Sequence, residues 1–274
     1  MRSGEEVSVL SFWKRILEIM NYQVQEPTIF GVFHCACLLI VVLFCVWAVW
    51  AGKKHDSCKV RRVMLIVALL ALILEVYKQI NYTFGDGSGE PYYLWYAFPF
   101  QFCSTPIYVE LLACLIRKGK VHDALCAYLA TFGLFAGLVV MAYPGQVFIE
   151  TLGINIQTMY WHGSMVVMGV YLLASGHVKL EHKTILKALP VFVVAVTMAA
   201  AMNEVAYQTG LLEEHDFNMF YISPYCEPSL PVYSLVQAVV PFPASLIIYI
   251  FGFTVAGYLM LLLGMAMKKF IKKA

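Results

Sequence analysis

The chain has 274 residues, of which 61% are hydrophobic and 13% charged, with a mean hydropathy of +0.74. Soluble domains run near about 45–50% apolar and about 25% charged, so this composition is made for lipid. Nineteen basic and 17 acidic residues leave a net charge of +2, too small a surplus for binding nucleic acid.

Residues 7–20 place Val9, Trp13, Ile16 and Met20 on one face, with Lys14, Arg15 and Glu18 elsewhere. That pattern predicts an interfacial amphipathic helix within 1–27, without the long apolar core of a cleaved signal. A bilayer core of about 30 Å takes about 20 apolar helical residues. Seven stretches qualify: 28–51, 62–83, 96–116, 122–142, 157–176, 185–208 and 244–267. The expected fold is therefore all-α and polytopic, a single seven-helix transmembrane domain over 28–274. The segment 209–243, rich in Pro, Tyr and acid, is read as an outer capping loop.

Charge sets the expected orientation. Lys53, Lys54, Lys59, Arg61 and Arg62 follow the first stretch, and Arg117, Lys118 and Lys120 follow the third. Lys179, Lys183 and Lys187 follow the fifth, and Lys268, Lys269, Lys272 and Lys273 close the tail. The alternate connections 84–95, 143–156 and 209–243 contain no Lys or Arg. The positive-inside rule then puts the N-terminus out and the C-terminus in, against the dissent of Arg2, Lys14 and Arg15. The expected location is a bacterial cytoplasmic (plasma) membrane.

Of eight cysteines only Cys226 falls in an outer connection, which excludes an exofacial disulfide framework within one chain. Cys35, Cys37, Cys45, Cys114 and Cys126 read as small inert hydrophobes. There is no CxxC, HExxH, phosphate-binding loop, GxSxG or dinucleotide fingerprint, and no HxxxH pair. Neither a metal nor an intrinsic cofactor is expected. Gly133 and Gly137 form one GxxxG, read as a place of close helix packing.

Ionisable groups within a span cost several kcal/mol and tend to face the bundle interior. The second stretch carries Glu75, Lys78, Gln79 and Tyr82 as one stripe, in which Glu75 and Lys78 can pair. The third contains Gln101, Cys103, Ser104, Thr105 and Glu110 between and beyond Pro99 and Pro106, where Pro106 is expected to kink a helix. The fifth has Trp161-His162-Gly163, with His162 read as the only embedded histidine, and the sixth ends near Asn203 and Glu204. At helical rise Lys78, Cys103, His162 and Asn203 all fall about 7–11 Å below the outer boundary, in one layer. Tyr92, Tyr93, Trp95, Tyr160 and Trp161 read as an interfacial aromatic belt without a site role.

A cysteine beside a histidine base can take an acyl group as a thioester, and Gln101, Ser104 and Asn203 could supply oxyanion donors. The same residues also admit an interhelical hydrogen bond for His162, a self-neutralising Glu75–Lys78 pair, a proton or solute path through Glu75, Lys78, His162 and Glu110, or a seven-helix sensor.

Four strings resemble the YwaF-like integral membrane family, which includes the transmembrane protein 164 ether-phospholipid acyltransferases. They are Leu74-Glu75-Val76-Tyr77-Lys78, Pro99 to Cys103, Trp161-His162-Gly163, and Asn218-Met219-Phe220 with Pro224. The similarity runs in order over about 62–260. It implies a seven-helix fold and an intramembrane site with Cys103 as nucleophile and His162 as base. The implied partners are membrane lipids: a phospholipid acyl donor and a lyso-lipid or other hydroxyl acceptor. Lipid-ester hydrolysis is the neighbouring reaction. The expected function is phospholipid acyl transfer, with Glu75, Lys78, Gln79, Gln101, Ser104, Glu110, Asn203 and Asn218 forming the polar pocket.

Overall fold

The structure, a computed structural model, describes residues 15–16, 18–84, 93–145, 147–210 and 217–273. Most of the expected N-terminal interfacial helix, Tyr92 and part of the connection 209–243 lie outside them. The described chain is all-helical and has no strand, only an isolated bridge between Gln23 and Thr151. Its long helices are α1 (Val32–Gly52), α2 (Ser57–Phe84), α3 (Thr105–Ile116), α4 (Lys120–Ala142), α5 (Leu152–Ala174) and α6 (Thr184–Gln208). A short α7 (Pro231–Val239) precedes the terminal α8 (Phe242–Lys273).

Among the described residues, five helices are long and apolar enough to cross a membrane: α1, α2, α4, α6 and α8. They carry an outward apolar surface, such as Leu39, Leu43 and Trp50 on α1 and Ile247, Phe251 and Leu263 on α8. No aqueous domain tolerates so many exposed large hydrophobes, so this surface belongs in lipid.

The remaining two long helices differ for physical reasons. Fifteen of the 23 residues of α5 are buried, including Asn155, Gln157, Thr158 and His162, so it is an interior helix. Helix α1 lies along it on one side, the second half of α4 on another, and α2 also touches it. Helix α3 has only 12 residues, about 18 Å of rise, too short to cross a hydrocarbon core alone. The single helix expected over 96–116 is therefore not formed. A 3₁₀ turn at Trp95–Ala97 leads into irregular chain, and Pro106 sits in the first turn of α3. Pro106 starts a helix where a kink was expected, because a first-turn residue has no intrahelical partner for its missing N–H.

Close approach depends on small residues. A Cβ on Gly137 of α4 would lie 2.6 Å from the His162 carbonyl oxygen of α5, whereas one on Gly133 would meet nothing nearer than 3.8 Å. Half of the GxxxG is thus a true contact point. The other half falls in a π-turn, Leu129–Gly133, within α4.

Candidate active site

Irregular backbone at membrane depth survives only where every polar group finds a partner inside the protein. In the stretch 97–104 side chains and turns supply many of these partners. Gln79 Nε2 donates to the Ala97 carbonyl (2.9 Å) and the Tyr108 hydroxyl to Pro99 (2.7 Å). The amides of Ser104 and Thr105 donate to Gln101 (2.8 and 3.1 Å). Thr105 Oγ1 donates to Phe102 (2.9 Å) and Trp161 Nε1 to Cys103 (2.6 Å). The buried Tyr128 hydroxyl shares a 2.6 Å hydrogen bond with Thr105 Oγ1, which fixes the start of α3.

Cys103 consequently stands in a pinned turn immediately before the N-terminus of α3. Cys103 is partly exposed, whereas Ser104 after it and His162, the residue after Trp161, are buried. Ser104 follows Cys103 in the same turn, and Lys78 and Glu75 lie within electrostatic range of the Cys103 thiol.

Trp161 is a correction to the expected aromatic belt. It is 5% exposed, bonded to Cys103, and its ring centroid lies 5.8 Å from Lys78 Nζ. Tyr93 likewise turns inward, donating to Gln79 Oε1 (2.6 Å). The Glu75 carboxylate gathers three donors: Lys78 Nζ at 2.8 Å, Gln79 Nε2 at 2.6 Å and Gln157 Nε2 at 3.5 Å. The expected Glu75–Lys78 pair is formed.

His162 has one occupied and one free ring nitrogen. Nδ1 faces the Thr158 carbonyl at 2.8 Å, and a carbonyl only accepts, so Nδ1 carries the proton. Nε2 is then the basic nitrogen, and it is buried without a hydrogen-bond partner. No hydrogen bond joins it to Cys103 Sγ among the described residues. His162 is not the only embedded histidine, as had been expected. His34 in the first turn of α1 is fully buried, with Phe30 N–H donating to Nδ1 (2.9 Å) and Nε2 donating to Met141 O (2.9 Å). Both nitrogens of His34 are satisfied, which marks it as structural and separates it from His162.

Two expected oxyanion donors are occupied elsewhere. Asn203 is buried and clamps Met219 through both backbone groups (Nδ2 to O, 3.1 Å; N to Oδ1, 2.8 Å). Gln101 holds the next residues in the same way, donating to Asn218 O (2.9 Å) and accepting from Phe220 N (2.9 Å). Asn218 Oδ1 accepts from Ser223 N (2.9 Å), and the Tyr249 hydroxyl donates to Phe220 O (3.1 Å). These bonds hold Phe220 and Tyr221 in left-handed backbone (φ 59° and 56°), an unfavourable conformation for such bulky residues. Phe220 is fully buried against Phe100, Phe102 and Phe192. The segment 217–222 is thus bolted onto the chain that carries Cys103.

Glu110 is not brought into this group. It is buried on α3, within electrostatic range of Cys114 and Tyr160, and makes no hydrogen bond or ion pair among the described residues. A cavity of about 470 Å³ lies nearby in the chain, lined by Pro224, Tyr225, Glu227, Gln237 and Phe242 among others, but neither Cys103 nor His162 borders it. The described residues around Cys103 and His162 hold no trio of metal ligands. The trio that does occur, His122, Cys126 and His177, is elsewhere.

A family model for the TMEM164 family matches residues 29–265. This chain belongs to the TMEM164 family. The match takes in all eight helices apart from the end of α8, and with them every residue of the site. Searches of curated proteins and of solved structures found no significant match. The chain is therefore an integral membrane protein of this family, with α5 as its most buried long helix.

Proposed function

We propose that this TMEM164-family protein is an intramembrane lipid acyltransferase working by a Cys103 thioester. The observation that carries the reading is His162 Nε2, a buried basic nitrogen with no partner, one residue from the tryptophan that fastens Cys103. A buried acceptor left unsatisfied costs about 1–3 kcal/mol, a cost best explained by a partner that is present only during the reaction.

In the first half-reaction, His162 Nε2 accepts the Cys103 thiol proton and Sγ attacks a phospholipid ester carbonyl. The C–O bond breaks, the proton passes from His162 to the departing oxygen, and a lyso-lipid leaves the acyl thioester behind. In the second half, His162 takes a proton from the hydroxyl of another lyso-lipid, whose oxygen attacks the thioester and releases the Cys103 thiol. In this reading the Ser104 hydroxyl, next to Cys103 in the chain, steadies the oxyanion. Glu75 keeps Lys78 in position.

The reading includes the topology. Helices α3 and α5 complete seven crossings, with 93–104 covering the depth α3 cannot reach, the N-terminus out and the C-terminus in. Support comes from contacts between the N-terminal segment and the Lys- and Arg-free side: Val24 N donates to Glu150 O (2.7 Å), and Tyr77 at the end of α2 donates to Met20 O (2.9 Å). The site then sits in the outer half of a plasma membrane, near the depth of ester carbonyls. Segment 217–222 forms its cap.

The test supplies purified protein with a phospholipid bearing a labelled acyl chain, with and without unlabelled lyso-lipid. Label in newly formed phospholipid, dependent on lyso-lipid, is expected. Label appearing only as free fatty acid would replace the transferase with a hydrolase, and no turnover under either condition would reject both.

A further inference from the structure

We infer that the opposite end of the bundle holds a binding site for a zinc-class divalent transition-metal ion, formed by His122, Cys126 and His177. The three residues come from two elements 55 positions apart: His122 and Cys126 are one turn apart at the start of α4, and His177 follows the end of α5. Their ligand atoms all lie within 4.8 Å of one another. His122 Nε2 is 3.5 Å from His177 Nε2 and 3.7 Å from Cys126 Sγ. A tetrahedral zinc, with Zn–N of about 2.0–2.1 Å and Zn–S of about 2.3 Å, separates its donors by about 3.3 Å and about 3.6 Å. Two of the three pairs already stand at that spacing, and the third lies within 4.8 Å.

Second-shell placement agrees. The Asp123 carboxylate is 3.6 Å from His122 Nδ1, on the far side of the ring. Once an ion binds Nε2, a small rotation of the exposed Asp123 side chain would let its carboxylate accept from Nδ1–H, the arrangement common around histidine ligands. His122 and Cys126 are buried, whereas His177 is partly exposed, so an ion has a route in. A simple cysteine–histidine pair has no use for a second imidazole nitrogen aimed at the first. Convergence of all three atoms on one point is what a metal uses. Three protein ligands leave a fourth position for solvent.

The site is independent of the acyl-transfer reading. Gly137 and His162 mark the Cys103 end, and about 16–18 Å of helix separates them from Cys126 and from the end of α5. The metal would join the start of α4 to the connection after α5.

The experiment uses the tag-free full chain in detergent, stripped with a chelator and titrated with Co²⁺ and then Zn²⁺. One equivalent of Co²⁺ should give a thiolate-to-cobalt charge-transfer band, displaced by one equivalent of Zn²⁺, and Zn²⁺ should raise the thermal midpoint. Cys126→Ser should abolish the charge-transfer band, and His177→Gln, at a partly exposed loop position that folding tolerates, should weaken binding at least tenfold. Asp123→Asn should weaken it about tenfold. Absence of a stoichiometric cobalt band in the wild type overturns the inference, as does a band or a zinc-induced stabilisation that survives in His177→Gln at full affinity.

Discussion

Trp161 Nε1 donates a 2.6 Å hydrogen bond to the Cys103 carbonyl, so a side chain of the interior helix holds the turn that presents the candidate nucleophile. The bond satisfies a backbone acceptor that no helix serves, and it fixes Cys103 to the helix that carries His162. Trp161→Phe keeps an aromatic ring but removes the donor together with part of the buried indole. The expected loss is about 1–3 kcal/mol, the usual cost of an unsatisfied buried group. Thermal unfolding in detergent should show a lowered midpoint, with acyl transfer reduced further than stability alone explains. An unchanged midpoint would mean that the bond has no structural weight.

Gly137 sets the distance between α4 and α5 at the level of His162. Gly137→Ala places a methyl 2.6 Å from the His162 carbonyl and 2.9 Å from Met165 Cβ, so the helices must part. Overpacking of this kind costs about 1–3 kcal/mol. Gly133→Ala has room, with its nearest neighbour at 3.8 Å, and should be neutral or stabilising. Equal effects of the two substitutions on the thermal midpoint would contradict the asymmetry.

The Glu75–Lys78 pair has side chains 7% and 15% exposed, so each ion depends on the other. Lys78→Met alone leaves a buried carboxylate uncompensated and should cost about 3–5 kcal/mol. The double substitution Glu75→Gln with Lys78→Met should recover most of that stability, as measured by a double-mutant cycle. Activity that stays low after stability returns would assign Lys78 a part in tuning Cys103.

Asn203 makes two hydrogen bonds to Met219, and losing both leaves two buried backbone groups unpaired. Asn203→Ala should destabilise the protein by about 2–4 kcal/mol. It should also expose 217–222 to protease before the rest of the bundle, read as early cleavage at Phe220 or Tyr221. Cleavage no faster than in the wild type would show that the segment is held by its aromatic packing alone.

These residues also show which parts of the structure are legible in the chain. Helices α1, α2, α4, α6 and α8 follow from hydropathy, because continuous apolar runs of that length have few other solutions. The break before α3 does not follow. An apolar run has the same hydropathy whether its backbone is helical or propped by side chains, and Pro106 fits a kink as well as a helix start. Helix α7 lay hidden in a proline-rich connection, although Val232, Leu235 and Val239 form an exposed apolar stripe suited to a membrane interface. Position near a span end cannot tell a lipid-facing tryptophan from an inward one, hence the misreading of Trp161. Depth arithmetic assigns Lys78, Cys103, His162 and Asn203 to one level, but it does not foresee that Asn203 and Gln101 spend their amides on 218–220. The His122/Cys126 spacing was visible as HxxxC. Its third member, 55 residues on, becomes a neighbour only through the packing of α4 beside the end of α5.

The central claim is a covalent intermediate on Cys103. Intact-protein and peptide mass spectrometry of the purified chain, after brief incubation with a phospholipid carrying an isotopically labelled acyl chain, tests it most directly. The account predicts a labelled, hydroxylamine-sensitive acyl adduct on the Cys103 peptide. It should be absent in Cys103→Ala and should form at least about a hundredfold more slowly in His162→Gln, as befits loss of a general base. Wild-type protein that turns over phospholipid without any adduct, or an adduct that persists in Cys103→Ala, would contradict it.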